Sequence, residues 1–181
     1  MQAIIVIDYS YDFVATDGAL TTGVAGQRIE KSLVEEVKKF HDQGDFVVFA
    51  MDLHEKKDKY HPEIKLFPHH NLKDSQGRQL FGSLKILYDE IKGNDNVYFM
   101  DKRRYSAFSG TDLDIRLRER GITEITLVGV CTDICVLHTA VDAYNLGYKI
   151  NIPQEAVASF DPKGHQFALN HFSNTLGANV Y

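Results

Sequence analysis

Three residues far apart in the chain carry side chains that could do chemistry: a carboxylate (Asp8), an ammonium (Lys102) and a cysteine (Cys135). Asp8 closes the apolar run Ile4-Ile5-Val6-Ile7. A carboxylate there is partly desolvated, which raises its pKa toward the range useful for proton transfer. A plain turn or cap aspartate is the bland alternative. Lys102 follows Val97–Met100 and Asp101. It can pair with Asp8 and hold it, although Arg103 and Arg104 beside it also suit a solvated turn. Cys135 ends Gly129-Val130-Cys131-Thr132-Asp133-Ile134-Cys135, which joins an apolar run to a helical pattern. Thr132 or Asp133 is expected to cap that helix, with Cys135 in its first turn. Free N–H groups and the positive helix end there lower a thiol pKa and can stabilise an oxyanion. Cysteine is also a common small core residue, and this segment alone leaves both readings open. The C-x-x-x-C spacing does not suit a redox pair.

A second group lies between Asp52 and His70. Asp52, His54, His61, Glu63, His69 and His70 fall within 19 positions. Mixed histidine and carboxylate ligands suit zinc, manganese or iron. A hydrated loop with incidental histidines is the alternative, but long loops tend to be functional or disordered. His41, His138, His165 and His171 fall on helical patterns and read as structural or solvent-facing. No phosphate-binding glycine loop, H-E-x-x-H or G-x-S-x-G elbow occurs.

The elements that must position these residues are short apolar runs: Ala3–Ile7, Phe46–Met51, Val97–Met100, Ile125–Val130 and Tyr148–Ile152. Most are continuous rather than alternating, as in parallel strands buried on both faces. The tail Ala178–Tyr181 adds a candidate last strand. Helical patterns lie between the runs: Ile29, Leu33, Val37 and Phe40; Leu84, Leu87 and Ile91; Leu113 and Leu117; Ile134 to Tyr144. Another begins at Asp161-Pro162, a cap followed by proline. This alternation predicts one α/β domain over residues 1–181, with a doubly wound, mostly parallel sheet and helices on both faces. Functional residues in such folds gather beyond the carboxyl ends of strands. Asp8, Asp52, Lys102 and Cys131 onward all fall at such ends.

Composition narrows the classes. The 181 residues are 44% hydrophobic and 25% charged, with a net charge of −5 and no long single-sign run. That argues against nucleic-acid or anionic-membrane partners. Two cysteines do not make a secreted disulfide scaffold. The N-terminus lacks the basic region of a signal peptide, and no stretch approaches the roughly 20 apolar residues of a membrane span. Cytoplasmic residence is the expectation.

Taken together, the four places resemble the isochorismatase-like cysteine hydrolases, and within them the nicotinamidases. The resemblance rests on Asp8 in Ile7-Asp8-Tyr9-Ser10-Tyr11-Asp12-Phe13, on Lys102 in Asp101-Lys102-Arg103-Arg104-Tyr105-Ser106-Ala107-Phe108, on the Gly129–Cys135 motif, and on Asp52-Leu53-His54. It implies that Cys135 attacks the carboxamide of nicotinamide and forms a thioester, that Asp8 moves the protons, and that Lys102 orients Asp8. It implies an oxyanion hole at the N–H groups of Cys131 and Cys135 and a cis peptide at Val130–Cys131. It also implies one divalent metal, zinc first, with manganese or iron as alternatives, held by Asp52, His54, Glu63 and His70. His61 competes with Glu63, and His69 with His70. Phe13, Phe67 and Tyr105 would wall the ring pocket. The products would be nicotinate and ammonia, in NAD salvage. The competing readings are an isochorismatase-like or N-carbamoyl amidase activity on another small substrate, and a non-catalytic partner domain. Homo-oligomerisation stays open.

Overall fold

Every residue of the first strand is buried, so something must cover both of its faces. The computed structural model, which describes residues 1–181, shows what does. In chain order the elements are β1 (Ala3–Ile7), α1 (Tyr11–Val14), α2 (Val24–Arg28), α3 (Glu30–Asp42), β2 (Phe46–Asp52), α4 (Gly82–Ile91), β3 (Val97–Lys102), α5 (Leu113–Glu119) and β4 (Glu124–Val130). A π-helical turn (Thr132–Val136) then leads into α6 (Leu137–Asn145), β5 (Lys149–Ile152), β6 (Val157–Ala158), α7 (Pro162–Asn174) and β7 (Asn179–Val180).

The sheet order is β3-β2-β1-β4-β5-β7, with β6 alongside the end of β4, and every pairing is parallel. The period-two alternation of a strand divides β1 between two cores. Ala3, Ile5 and Ile7 pack with Leu113 and Leu117 of α5, Ala140 of α6 and Phe172 of α7. Ile4 and Val6 pack on the other face with Leu33 and Val37 of α3 and Leu84 and Leu87 of α4. The sheet is therefore doubly wound, as the alternation of elements predicts.

All five expected central strands form. The short β6 was not foreseen, and only Asn179–Val180 of the expected tail strand pairs. Asp161 does cap α7, accepting the Lys163 N–H, with Pro162 at the first helical position. The expectation for the other cap is corrected. The helix-start residue there is Cys131, with no side-chain cap, and Cys135 lies in the π-helical turn rather than the first turn of an α-helix. Thr132 and Asp133 are drawn to α7 and the loop before it, as described below.

Candidate active site

The parallel register brings the strand ends together. Ile7 lies opposite Ala50 and Gly129, and Asp52 lies opposite Lys102. Directly past the end of β1 the backbone turns at Asp8, which has a positive φ of 53°. Aspartate tolerates this conformation better than most residues. The Asp8 side chain reaches Lys102, with 2.7 Å between Oδ2 and Nζ. The same ammonium lies 3.6 Å from Cys135 Sγ and donates to the Arg104 carbonyl at 3.1 Å. Asp8, Lys102 and Cys135 thus form one buried group.

Burying ions costs several kcal/mol each unless they are paired. Here each charge has a partner. Burial pushes the Asp8 carboxyl up, against the pull of Lys102. For Lys102, burial disfavours the ammonium, but Asp8, Cys135 and Asp52 outweigh it and hold the pKa above the ordinary value. Burial pushes the Cys135 thiol well up, more than Lys102 lowers it. Burial thus works against the thiolate that a helix start favours. Attack would require a base, and Asp8 is the carboxylate in the group.

The nucleophile turn is fixed from several sides. Gly129 has a φ of 114°, and a Cβ there would sit 2.0 Å from the Ile7 carbonyl oxygen. Only glycine lets β4 approach β1 this closely. The Val130–Cys131 peptide is cis. Thr132 Oγ1 bonds His165 Nδ1 at 2.8 Å, and Ser159 Oγ donates to Asp133 Oδ1 at 2.5 Å. Thr139 Oγ1 donates to the Cys135 carbonyl at 2.7 Å and accepts the Ala107 N–H at 3.0 Å. These bonds explain why Thr132 and Asp133 do not cap the turn.

Beside the thiol, Asp52, His54, Glu63 and His70 are all buried, and their ligand atoms lie within 4.8 Å of one another. Asp52 Oδ2 lies 2.6 Å from His54 Nε2 and 3.4 Å from His70 Nε2. Glu63 Oε2 lies 3.9 Å from His54 Nε2 and 3.7 Å from His70 Nε2. The 2.6 Å contact is a direct hydrogen bond between Asp52 and His54, and the other separations approach those of ligands sharing one ion at roughly 2.0–2.2 Å. His70 Nδ1 is satisfied by the Pro68 carbonyl at 2.8 Å, which frees Nε2 for the cluster. His70 Nε2 and Asp52 Oδ1 have no hydrogen-bond partner although buried. Burial and the neighbouring Asp52 push the Glu63 carboxyl up. A divalent cation would answer each of these features, so the residues fit a metal.

The two pairs of alternatives differ in burial and direction. His69 is exposed and His70 buried. A 3₁₀ turn over Pro62–Lys65 brings Glu63 into the cluster. His61 instead bonds the Arg103 carbonyl through Nε2 at 2.9 Å and packs edge-on to His54 at 4.2 Å.

Over the thiol lies a small, mostly apolar cavity lined by Phe13, Phe67 and Tyr105 and by Glu63, Cys131 and Cys135. Leu20, Ile134 and Phe160 complete it. Leu20 and Phe160 lie outside helices and strands and carry no periodic signal, whereas Ile134, which belongs to a helical pattern in the sequence, sits in the π-helical turn. A larger groove along Tyr60, Arg103, Arg104 and Ser109 is mostly polar and does not include Cys135. The small apolar cavity is the one suited to a single flat ring.

Comparison with known proteins places this geometry. An isochorismatase domain matches residues 2–180. The isochorismatase family protein PncA of Bacillus subtilis is 55% identical, covering 99% of this chain and 98% of its own. The crystal structure of pyrazinamidase/nicotinamidase from Streptococcus mutans superposes with a TM-score of 0.98 at 55% identity over 100% of both chains. That of pyrazinamidase from Pyrococcus horikoshii in complex with zinc superposes with a TM-score of 0.86 at 27% identity, covering 99% of this chain and 98% of that one. With a match from end to end and a shared parallel-sheet fold, the chain belongs to the isochorismatase family.

Proposed function

We propose that this protein is a single-domain nicotinamidase, hydrolysing nicotinamide to nicotinate and ammonia. The observation that carries the reading is the buried Asp8–Lys102–Cys135 group packed against four metal-ligand side chains, with Lys102 Nζ 3.9 Å from Asp52 Oδ1. A cysteine hydrolase of unspecified substrate has no need of the second cluster. An aromatic amide with a ring nitrogen uses both.

In this mechanism the ring lies among Phe13, Phe67 and Tyr105, with its carboxamide over Cys135. Asp8 takes the thiol proton as Sγ bonds the carboxamide carbon, and the carbonyl electrons move onto oxygen. The N–H groups of Cys131 and Cys135 receive that oxyanion. The oxyanion collapses and the C–N bond breaks. Asp8 returns the proton to the nitrogen, which leaves as ammonia, and the acyl group stays on Cys135 Sγ as a thioester. Asp8 then takes a proton from water as it adds to the thioester carbon. Collapse breaks the C–S bond, the Asp8 proton returns to sulfur, and the released acid ionises to nicotinate. Lys102 stays charged throughout and keeps Asp8 aimed. A divalent ion held by Asp52, His54, Glu63 and His70, zinc first, would supply a Lewis-acid anchor for the ring nitrogen.

No helix is long and apolar enough to cross a membrane. Both cysteines are free, which suits a reducing compartment, and we place the enzyme in the cytoplasm, in NAD salvage. The test is ammonia release from nicotinamide by zinc-supplied protein, with Cys135→Ala as control. Turnover by the intact protein alone supports the reading, and no turnover by either overturns it.

A further inference from the structure

Asn71 is fully buried, follows His70 directly, and takes part in neither cluster. Its φ is 44°, in the left-handed region that asparagine enters at less cost than most residues. Three hydrogen bonds to two segments hold it there. Its N–H donates to Asp12 Oδ2 at 2.8 Å. Its side-chain Oδ1 accepts from Ser10 Oγ at 2.8 Å. Its carbonyl accepts the His54 N–H at 3.1 Å. Ser10 in turn donates its N–H to the Asp8 carbonyl at 2.8 Å. Asp12 is pinned as well. It accepts the Ala19 N–H at 3.2 Å, and its carboxylate packs where any Cβ on Gly77 would lie.

From this we infer that Asn71 is a positioning residue that locks the histidine ligands His54 and His70 to the loop carrying Asp8. The inference rests on the proposed metal site and adds a coupling to it. His70 and His54 come from separate stretches of the long loop, and Asn71 is the residue adjacent to one that bonds the backbone of the other. Its side chain then fastens both to the Asp8 loop. The Ser10–Asn71 bond is therefore placed to set ligand spacing, and losing it should loosen the site while leaving the two cores untouched. Outer-sphere partners of metal ligands commonly carry about 10–100-fold in affinity.

The experiment uses the full chain and measures zinc affinity by chelator competition for the wild type, Asn71→Ala, Ser10→Ala and the double variant. Cobalt-substituted protein is read in parallel by its visible absorption, and circular dichroism with thermal melts verifies folding. Asn71→Gly restores the backbone freedom without the side chain and separates strain from bonding. Expected are a roughly tenfold or greater loss of zinc affinity in Asn71→Ala and in Ser10→Ala, altered cobalt bands in both, and no further loss in the double variant. Asn71→Gly should lose affinity like Asn71→Ala. Zinc affinity within twofold of wild type in folded Asn71→Ala and Ser10→Ala overturns the coupling, as do additive losses or full rescue by glycine. A wild type that binds no zinc overturns the metal site itself, and the coupling with it.

Discussion

Asp8 and Asp52 are joined by one hydrogen bond, the Asp52 N–H donating to Asp8 Oδ1 at 2.7 Å. The proposed base and the first of the proposed metal ligands are therefore not independent. Both are also tied to Lys102, whose ammonium lies 2.7 Å from one and 3.9 Å from the other. Asp52 shows how these opposing effects balance. Burial alone would raise its pKa, but Lys102, His54 and His70 overcome burial and hold it well below the carboxylate range.

Lys102→Met should therefore leave two buried carboxylates without their shared cation. We expect about 3 kcal/mol of lost stability in urea unfolding and a loss of roughly 10²-fold or more in kcat/KM. Unchanged kcat/KM in the folded variant would remove Lys102 from the proposed machinery.

The two thiols should differ in reactivity. Burial, reinforced by the nearby Asp133, pushes Cys131 up to about 12, and no base adjoins it in the way Asp8 adjoins Cys135. Iodoacetamide, itself a small amide, should alkylate Cys135 at least about tenfold faster than Cys131, since reactivity follows access to the thiolate. Nicotinamide should protect Cys135, and Asp8→Asn should slow its labelling. Fragmentation mass spectrometry locates the label. Faster labelling of Cys131 would contradict the assignment of the nucleophile.

The choice of Glu63 over His61 gives a ranking. Glu63→Gln removes a charged ligand atom and should weaken zinc binding by roughly 100-fold, whereas His61→Asn removes an outer neighbour and should cost no more than about tenfold. Equilibrium dialysis against zinc distinguishes them. The reverse order would exchange their roles.

Much of this was legible in the sequence because polar residues that end buried strands have few places to go. Asp8, Asp52 and Lys102 each close an apolar run, and a parallel sheet gathers such ends on one edge. The distinction between His61 and Glu63 was not legible from the residues. It depends on a 3₁₀ turn begun by Pro62, which decides the direction of each side chain. The turn at Cys131 was misread for a related reason. Thr132 and Asp133 are good caps by type, but α7 and the residues before it offer them tertiary partners. Leu20 and Phe160 reach the cavity from loops whose course no local pattern records.

His165, which bonds Thr132, gives a pH dependence. Burial lowers its pKa below the ordinary 6.5, partly offset by Asp133. The neutral ring is favoured in the folded protein, so the unfolded chain binds protons first as pH falls. Its contribution is complete above 6.5 and is lost from there downward, toward the lower folded value. Melting temperatures of the zinc-loaded wild type and of His165→Asn, taken at about pH 7.5 and pH 5.5, isolate the term. The wild type should lose more on acidification than the variant. An equal loss in both would show that His165 does not titrate as the geometry predicts.

The position of β1 between β2 and β4 also orders events in time. During synthesis β1 emerges first, yet its second neighbour in the sheet is not made until residue 130 has been translated. The thiol lies in the turn that follows β4, so it can join Asp8 only after that strand is made. Contacts so distant in sequence close slowly. A nascent or truncated chain thus carries an inert Asp8 loop, and hydrolysis reports that the central strand has both neighbours in place.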